Sequence, residues 1–399
     1  MATTIRPSLR LDSIDALRGA IMIVMALDHV RDFIHAGAQQ YSPLDLTRTY
    51  PFLFFTRWIT HFCAPVFCFA AGLGAFLWYR RGHTLPQLSN FLITRGLWLI
   101  FLELTWMRFA YTFDYSARSS VLLVVLWELG VSMIALAGLA WLPPRLLAVL
   151  SLATIALHNL LDPIRPAQLG AYATLFRLLH GGGAFPLFGL TIRAGYPVLP
   201  WIAVMAAGFC FGEVFLLPPA RRQRVLLVTG AGLTLAFVFL RALNRYGDPS
   251  HWTAQSRPVY TLLSFLNTTK YPPSLLYLLM TLGPALVLLA WLDQRSFSPD
   301  NPMIVFGRVP LFYYLTHFML AHLIASVLIL VRYGIHAYPL IFSAYPSLGG
   351  NRAKFPPGFG YPLWTVYLIW IGLVVFIYFP CRWFARLKGE RRSWWLSYL

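Results

Sequence analysis

The sequence predicts an all-α polytopic integral membrane protein, a helical bundle of about ten transmembrane helices. Three observations carry that reading. Hydrophobic residues make up 58% of the chain and charged residues 12%, against about 25% charged in soluble domains. Apolar runs of about 20 residues recur along the whole chain, each long enough to cross the hydrocarbon of a bilayer. Mean hydropathy is +0.63, and no polar stretch exceeds about 40 residues, so a soluble domain is not expected. Residues 1–399 read as one transmembrane domain.

In order, the spans fall at 13–36, 52–78, 90–112, 120–142, 145–161, 197–217, 223–243, 273–292, 303–331 and 362–385. The first has charge in its middle and lacks a small-residue cleavage pattern, so it reads as a retained span and not a signal peptide. The second contains Pro65, whose missing N–H predicts a bend. The fifth is short. Long connections at 37–51, 162–196, 244–272 and 332–361 are expected to be functional or disordered. The second of these holds Gly181-Gly182-Gly183 and an amphipathic piece near 171–179; the third holds Trp252, Tyr260 and Tyr271; the fourth is rich in Pro, Gly and Tyr. Aromatics mixed with Arg, Asn and Asp suit stacking on sugar rings, although interface anchoring explains any single one as well. The chain shows no convincing internal repeat.

Short basic segments set an orientation. Arg6 and Arg10, Arg80 and Arg81, Arg221, Arg222 and Arg224, and Arg386, Lys388, Arg391 and Arg392 all fall on one side of a ten-span bundle. The positive-inside rule makes that side cytoplasmic, with both termini there and the long loops outside, as in a bacterial inner membrane. The net charge of +18 is scattered among loops and helix ends. It therefore points to anionic lipid and phosphate-bearing small molecules as partners, not to nucleic acid. Cys63, Cys68, Cys210 and Cys381 lie in apolar segments without metal-ligand spacing, so buried small residues are expected and no metal site.

Arg18 and His29 are the most informative pair. Each ionisable side chain inside a span costs about 2.5–3.5 kcal/mol at mid-depth, so such residues mark function or pairing. Eleven helical steps return His29 to within about 20° of the Arg18 face and about 16 Å along the axis. A cation and a titratable imidazole thus share one stripe, too far apart to pair, which suits a long anionic substrate lying along the helix. Other spans add to the pattern. Arg18, Arg95 and Arg308 gather near the cytoplasmic side, where they could hold phosphates. Glu103, Glu128 and His317 lie near mid-depth. Asp28, His29, Asp32, Arg57 and His61 lie in the outer half, with the residue types for general base catalysis and oxyanion stabilisation. Asp32, three residues past His29, is expected to hold the other imidazole nitrogen, while Asp28 points elsewhere. Plainer readings exist: Glu103 and Glu128 as partners of arginines, His61 and His317 as interhelical hydrogen-bonding groups, Arg57 and Arg108 snorkelling outward.

The segment Ser13-Ile-Asp-Ala-Leu-Arg-Gly19 followed by Asp28-His29 resembles the opening of the large transmembrane acyltransferase superfamily. Within it the chain is most similar to bacterial relatives of the heparan-α-glucosaminide N-acetyltransferase catalytic domain. The Arg18-x10-His29 spacing is shared with the acyltransferase-3 and glucan succinyltransferase branches. The segments His61-Phe-Cys-Ala-Pro-Val-Phe-Cys-Phe-Ala-Ala-Gly72 and Pro310-Leu-Phe-Tyr-Tyr-Leu-Thr-His317 resemble later family segments. The resemblance implies transfer of an acetyl or other acyl group from cytosolic acyl-CoA, most simply acetyl-CoA, to a hydroxyl or amine of an extracytoplasmic sugar or glycan. It implies that Arg18, Arg95 and Arg308 take the CoA phosphates, that the pantetheine arm runs along the first helix, and that His29 deprotonates the acceptor. In a lysosomal member the base lies instead in the loop after the first span. His35 is the histidine in that region here, and His61 is a third candidate. Homo-oligomerisation is left open. Two rival readings are a transporter or flippase of sugar-linked or anionic substrates, weakened by the missing repeat, and a non-catalytic membrane partner.

Overall fold

The computed structural model describes residues 11–116, 120–391, 393 and 396. Arg6, Arg10 and Arg392 of the orientation argument lie outside the described residues. The chain is a helical bundle. α1 (Asp12–Ile34) is followed by α2 (Pro51–Trp58), a 3₁₀ turn at Ile59–Phe62, and α3 (Cys63–Tyr79). Then come α4 (Leu85–Leu102), a π turn at Glu103–Met107, and α5 (Arg108–Thr112). β1 (Val121–Leu123), α6 (Val125–Leu139), α7 (Pro144–Leu157) and α8 (Ala173–Phe176) lead to the hairpin of β2 (Gly183–Leu187) and β3 (Leu190–Ala194). α9 (Val198–Phe211), α10 (Pro219–Leu243), α11 (Pro258–Leu266), α12 (Leu275–Leu292), α13 (Pro302–Arg308), α14 (Pro310–Tyr333) and α15 (Leu363–Glu390) complete the chain.

Among the described residues, eight helical segments are long and apolar enough to cross a membrane. α1 has the length, at 23 residues, but six of its side chains are charged; α6 is apolar but only 15 residues long. With these two, every expected span has a helix. α1 can carry its charges because it is central, packed against α3, α12, α13, α14 and α15, so its polar groups meet protein instead of lipid.

Four helix pairs cross on glycine. A Cβ on Gly19 of α1 would fall 1.8 Å from the Met303 carbonyl oxygen, and one on Gly307 of α13 would fall 1.8 Å from that of Asp15. Gly72 of α3 and Gly208 of α9 stand in the same relation to Met205 and Phe69, at 1.9 and 2.1 Å. Gly96 with Gly130 joins α4 to α6, and Gly230 with Gly283 joins α10 to α12. Lipid supplies little hydrophobic drive for helix association, so backbone-to-backbone approach over small residues provides the packing.

The second span leaves α geometry in a 3₁₀ turn at Ile59–Phe62, which holds the carbonyl that Pro65, lacking an N–H, cannot bond. Two expectations are corrected. The ninth span is broken: Val309 leaves helical geometry at φ −132°, ψ 51°, and Pro310 restarts the helix as α14. A small three-stranded sheet, ordered β1-β3-β2, occupies what was read as loop and helix start. Its hairpin turns on Phe188 and Gly189, both at positive φ, a geometry that Asn-Gly normally announces. The amphipathic piece near 171–179 is present as α8 running into a π turn at Arg177–Gly181.

Where α1 begins, hydrogen bonds tie helix ends together. Ser13 Oγ donates to Asp293 Oδ1 at 3.0 Å, and Arg222 Nε donates to Asp293 Oδ2 at 2.7 Å. Asp300 receives two bonds from Arg382, which hold its carboxyl below the usual range, so this fastening is complete at neutral pH and weakens in acid. We expect Gly208→Ala to lower stability by about 1–3 kcal/mol, because its methyl meets backbone. Gly232→Ala, with nothing within 4 Å of the new Cβ, is expected to be neutral or slightly stabilising. Thermal unfolding in detergent checks both; equal melting temperatures for the two variants would contradict the crossing.

Candidate functional site

A cavity of about 410 Å³ opens near the start of α1. Its cations are Arg18, Arg81, Arg95, Arg308 and Lys388, against a single carboxylate, Asp15. Each fixed arginine is placed by local chemistry. Arg18 Nη2 donates to the Ala70 carbonyl at 2.6 Å, with Asp15 at 3.8 Å. Arg308 lies 3.5 Å from Asp12. The Arg95 guanidinium stands 4.4 Å above the Phe91 ring, which itself stacks on Trp78 at 4.4 Å. Beyond this rim the walls turn apolar, with Met22, Met25, Trp98, Leu311 and Tyr314. The structure thus brings Arg18, Arg95 and Arg308 onto one rim, with Arg81 and Lys388 beside them.

The deep end of that cavity meets the histidines. Tyr314, in its lining, packs edge-on to the His29 ring at 6.3 Å between centroids. His29 also contacts Phe318 at 4.8 Å and His317 at 5.2 Å. His317 Nδ1 lies 2.9 Å from the Tyr313 carbonyl. A carbonyl only accepts, so Nδ1 carries the proton and Nε2 of a neutral His317 presents a lone pair. Both His317 Nε2 and His29 Nδ1 are buried without a hydrogen-bond partner.

One further turn along α1 lies an ion cluster. Arg31 Nη2 donates to Asp28 Oδ1 at 2.7 Å and to Asp32 Oδ1 at 2.6 Å; Arg57 donates to Asp28 Oδ2 and, at 3.1 Å, to Thr60 Oγ1. This corrects the role expected for Asp32: its carboxylate is engaged by Arg31, and His29 Nδ1 stays unpartnered. Asp28 does point away from His29, into the two guanidiniums. His61 is fully buried with neither ring nitrogen bonded; its carbonyl accepts from the Tyr277 hydroxyl at 2.8 Å. His35 Nδ1 accepts from the Ala38 amide at 3.1 Å, beyond the helix end.

Glu103 and Glu128 are not arginine partners among the described residues. Glu103 Oε2 accepts from the Leu126 and Trp127 amides at 2.8 and 3.1 Å, capping the free N–H groups at the start of α6. Glu128 reaches Ser132 Oγ at 3.5 Å. Arg108 donates to the Tyr115 and Ser116 carbonyls.

The sequence reading missed Lys270. It is 8% exposed and lies against the Tyr196 and Tyr271 rings, at 5.9 and 5.2 Å. A signal existed: the chain has three lysines beside many arginines, and this one sits in a Tyr-Pro-Pro loop.

A family model for the heparan-alpha-glucosaminide N-acetyltransferase catalytic domain matches residues 10–243. That is more than half of the sequence. The chain belongs to this family. No curated protein matches the chain. The match takes in α1 to α10; Arg308, His317 and Lys270 come from the part of this N-acetyltransferase-family chain beyond it. Asp28→Asn should leave buried Arg57 without its carboxylate and cost about 3–5 kcal/mol. Denaturant or thermal unfolding in detergent reads this out, and wild-type stability in Asp28→Asn would show that the cluster contributes little.

Proposed function

We propose that the chain moves an acetyl group from acetyl-CoA to a hydroxyl or amine of a sugar or glycan on the opposite side of the membrane, with His29 as general base. The observation that supports it most is the basic cavity whose lining residue Tyr314 packs against both His29 and His317. Five cations against one carboxylate suit a nucleotide phosphate group. An apolar channel behind them suits a pantetheine arm, and the rise of about 16 Å between Arg18 and His29 is comparable with its extended length.

In this reading Arg18, Arg95 and Arg308 hold the phosphates, with Arg81 and Lys388 at the rim. Met22, Met25 and Tyr314 exclude water from the thioester. His29 takes the proton from the acceptor N–H or O–H as that atom bonds to the acyl carbon; the carbon–sulfur bond breaks and the leaving CoA thiolate takes that same proton from the His29 imidazolium, which restores the neutral ring. His317 Nε2, a lone pair near His29, is placed to steady the imidazolium. The Asp28–Arg31–Asp32–Arg57 cluster holds the α1 backbone at His29. The phosphate rim would face the cytoplasm of an inner membrane, with both termini on that side.

The experiment is CoA-thiol release by purified protein with glucosamine and glucan acceptors, together with acetyl-CoA-dependent thermal stabilisation. His29→Ala is expected to lose about 10²–10⁴ in rate while still binding acetyl-CoA. Arg18→Ala should weaken acetyl-CoA binding about tenfold or more. Loss in His35→Ala or His61→Ala alone would move the base, and no acetyl-CoA stabilisation of the wild type would end the donor assignment.

A further inference from the structure

Gly72 and Gly74 are two steps apart on α3, about 200° around the helix, and so face different sides of it. Gly72 meets the backbone of α9, where a Cβ would fall 1.9 Å from the Met205 carbonyl oxygen. Gly74 meets no other helix backbone. Leaving aside its own helix and among the described residues, a Cβ there would approach Arg18 alone, at 2.8 Å from Nη2 and 4.0 Å from Cζ. Both Gly74 and Arg18 line the basic cavity.

The bare position decides what Arg18 can reach. A helical side chain lies over the turn before its own Cα, so residue 74 is the one whose side chain would cover the carbonyl of residue 70. With glycine at 74 the Ala70 carbonyl stays open from the side, and Arg18 Nη2 donates to it at 2.6 Å. Ala71 and Ala75, in the same stretch of cavity wall, add little bulk. From α1 itself, Asp15 Oδ1 lies 3.8 Å from Arg18 Nη1, and the Arg18 side chain is 22% exposed. The guanidinium is thus held from two helices while still reaching the cavity surface. The Ala70 carbonyl takes one of its five N–H groups. A guanidinium grips phosphate through N–H groups in a rigid planar fork, so the plane in which it is held counts as much as its charge.

We propose that Gly74 is a positioning residue: by leaving the Ala70 carbonyl open, it sets the plane of the Arg18 guanidinium and with it the affinity for the phosphate-bearing end of the donor. The identity of that ligand rests on the acetyl-transfer reading; the contact of Gly74 with Arg18 does not. A methyl at 74 would meet only the far end of a flexible side chain, so Arg18 swings off the carbonyl and the bundle stays as it is. Alanine also favours a helix interior over glycine. A loss of donor affinity without a loss of stability is therefore the signature expected here, opposite to that of a glycine at a helix crossing.

The test uses full-length protein, glucosamine as acceptor and two donors: acetyl-CoA, and acetyl-pantetheine, which has the same thioester but no phosphate. Gly74→Ala is expected to raise the acetyl-CoA KM about tenfold. Turnover at saturation, melting temperature and the acetyl-pantetheine KM should stay as in the wild type. Added to Arg18→Ala, the same change should do nothing further, because the group it displaces is already gone. An unchanged acetyl-CoA KM in Gly74→Ala overturns the proposal. So does an equal rise for both donors, or a further loss on top of Arg18→Ala. A fall in melting temperature alongside the loss overturns it too, since that marks a packing glycine. If the wild type shows no turnover, acetyl-CoA-dependent thermal stabilisation takes the place of KM. Stabilisation weakened in Gly74→Ala supports the assignment; stabilisation kept in full removes it and leaves the donor site standing. No stabilisation of the wild type ends the donor reading and this assignment with it.

Discussion

The contact of α1 with α13, backbone against backbone at Gly19 and Gly307, is the constraint on which the rest of the arrangement depends. A Cβ at either position would lie 1.8 Å from a carbonyl oxygen of the other helix. That approach brings Arg18 and Arg308, each next to one of the two glycines, onto the same cavity rim. It also fixes where the chain re-enters helix at Pro310. Because Val309 breaks the helix there, α14 leaves at an angle that carries His317 to the side of His29, eleven residues along α1 from Arg18. One close crossing thus sets both ends of the stripe.

Polar groups at membrane depth are tolerated here by being parcelled out. Asp28, Asp32, Arg31 and Arg57 neutralise one another, Glu103 is absorbed by the open N-terminus of α6, and Arg18 takes a carbonyl. In a medium without water such pairing decides whether a charge can stay at all. What is left over is informative for the same reason. Among the buried polar atoms left without a partner are His29 Nδ1, His317 Nε2 and both nitrogens of His61, and the first two belong to rings whose centroids are 5.2 Å apart. Groups that cost energy in the resting protein are candidates for contacts made only with substrate.

Much of the fold was legible because span length and hydropathy are set by bilayer thickness, a constraint local in sequence. All ten expected spans have helices. The hairpin was not legible: its turn residues, Phe188 and Gly189, lack the usual Asn-Gly signature, and β1 acquires its pairing from Ile192, some seventy residues away. Within the site, residues on one helix could be phased by arithmetic, so Arg18 and His29 share a stripe as spacing requires. Asp32 could not, because a neighbour on the same helix, Arg31, outcompetes the imidazole for its carboxylate through charge. Lys270 was invisible for a further reason. Its burial against Tyr196 and Tyr271 depends on a loop pinned by Asp248, and no periodicity reports a loop's path.

The family match ends at residue 243, yet the geometry does not end with it. The portion beyond supplies Arg308 and Tyr314 to the cavity lining and His317 to the side of His29. On α1 itself Arg18 and His29 stand about 16 Å apart, at about 1.5 Å of rise per residue. Each gains a second group only where α13 and α14 pack beside it. The matched segment therefore carries the chemistry's axis, and the remainder carries its walls.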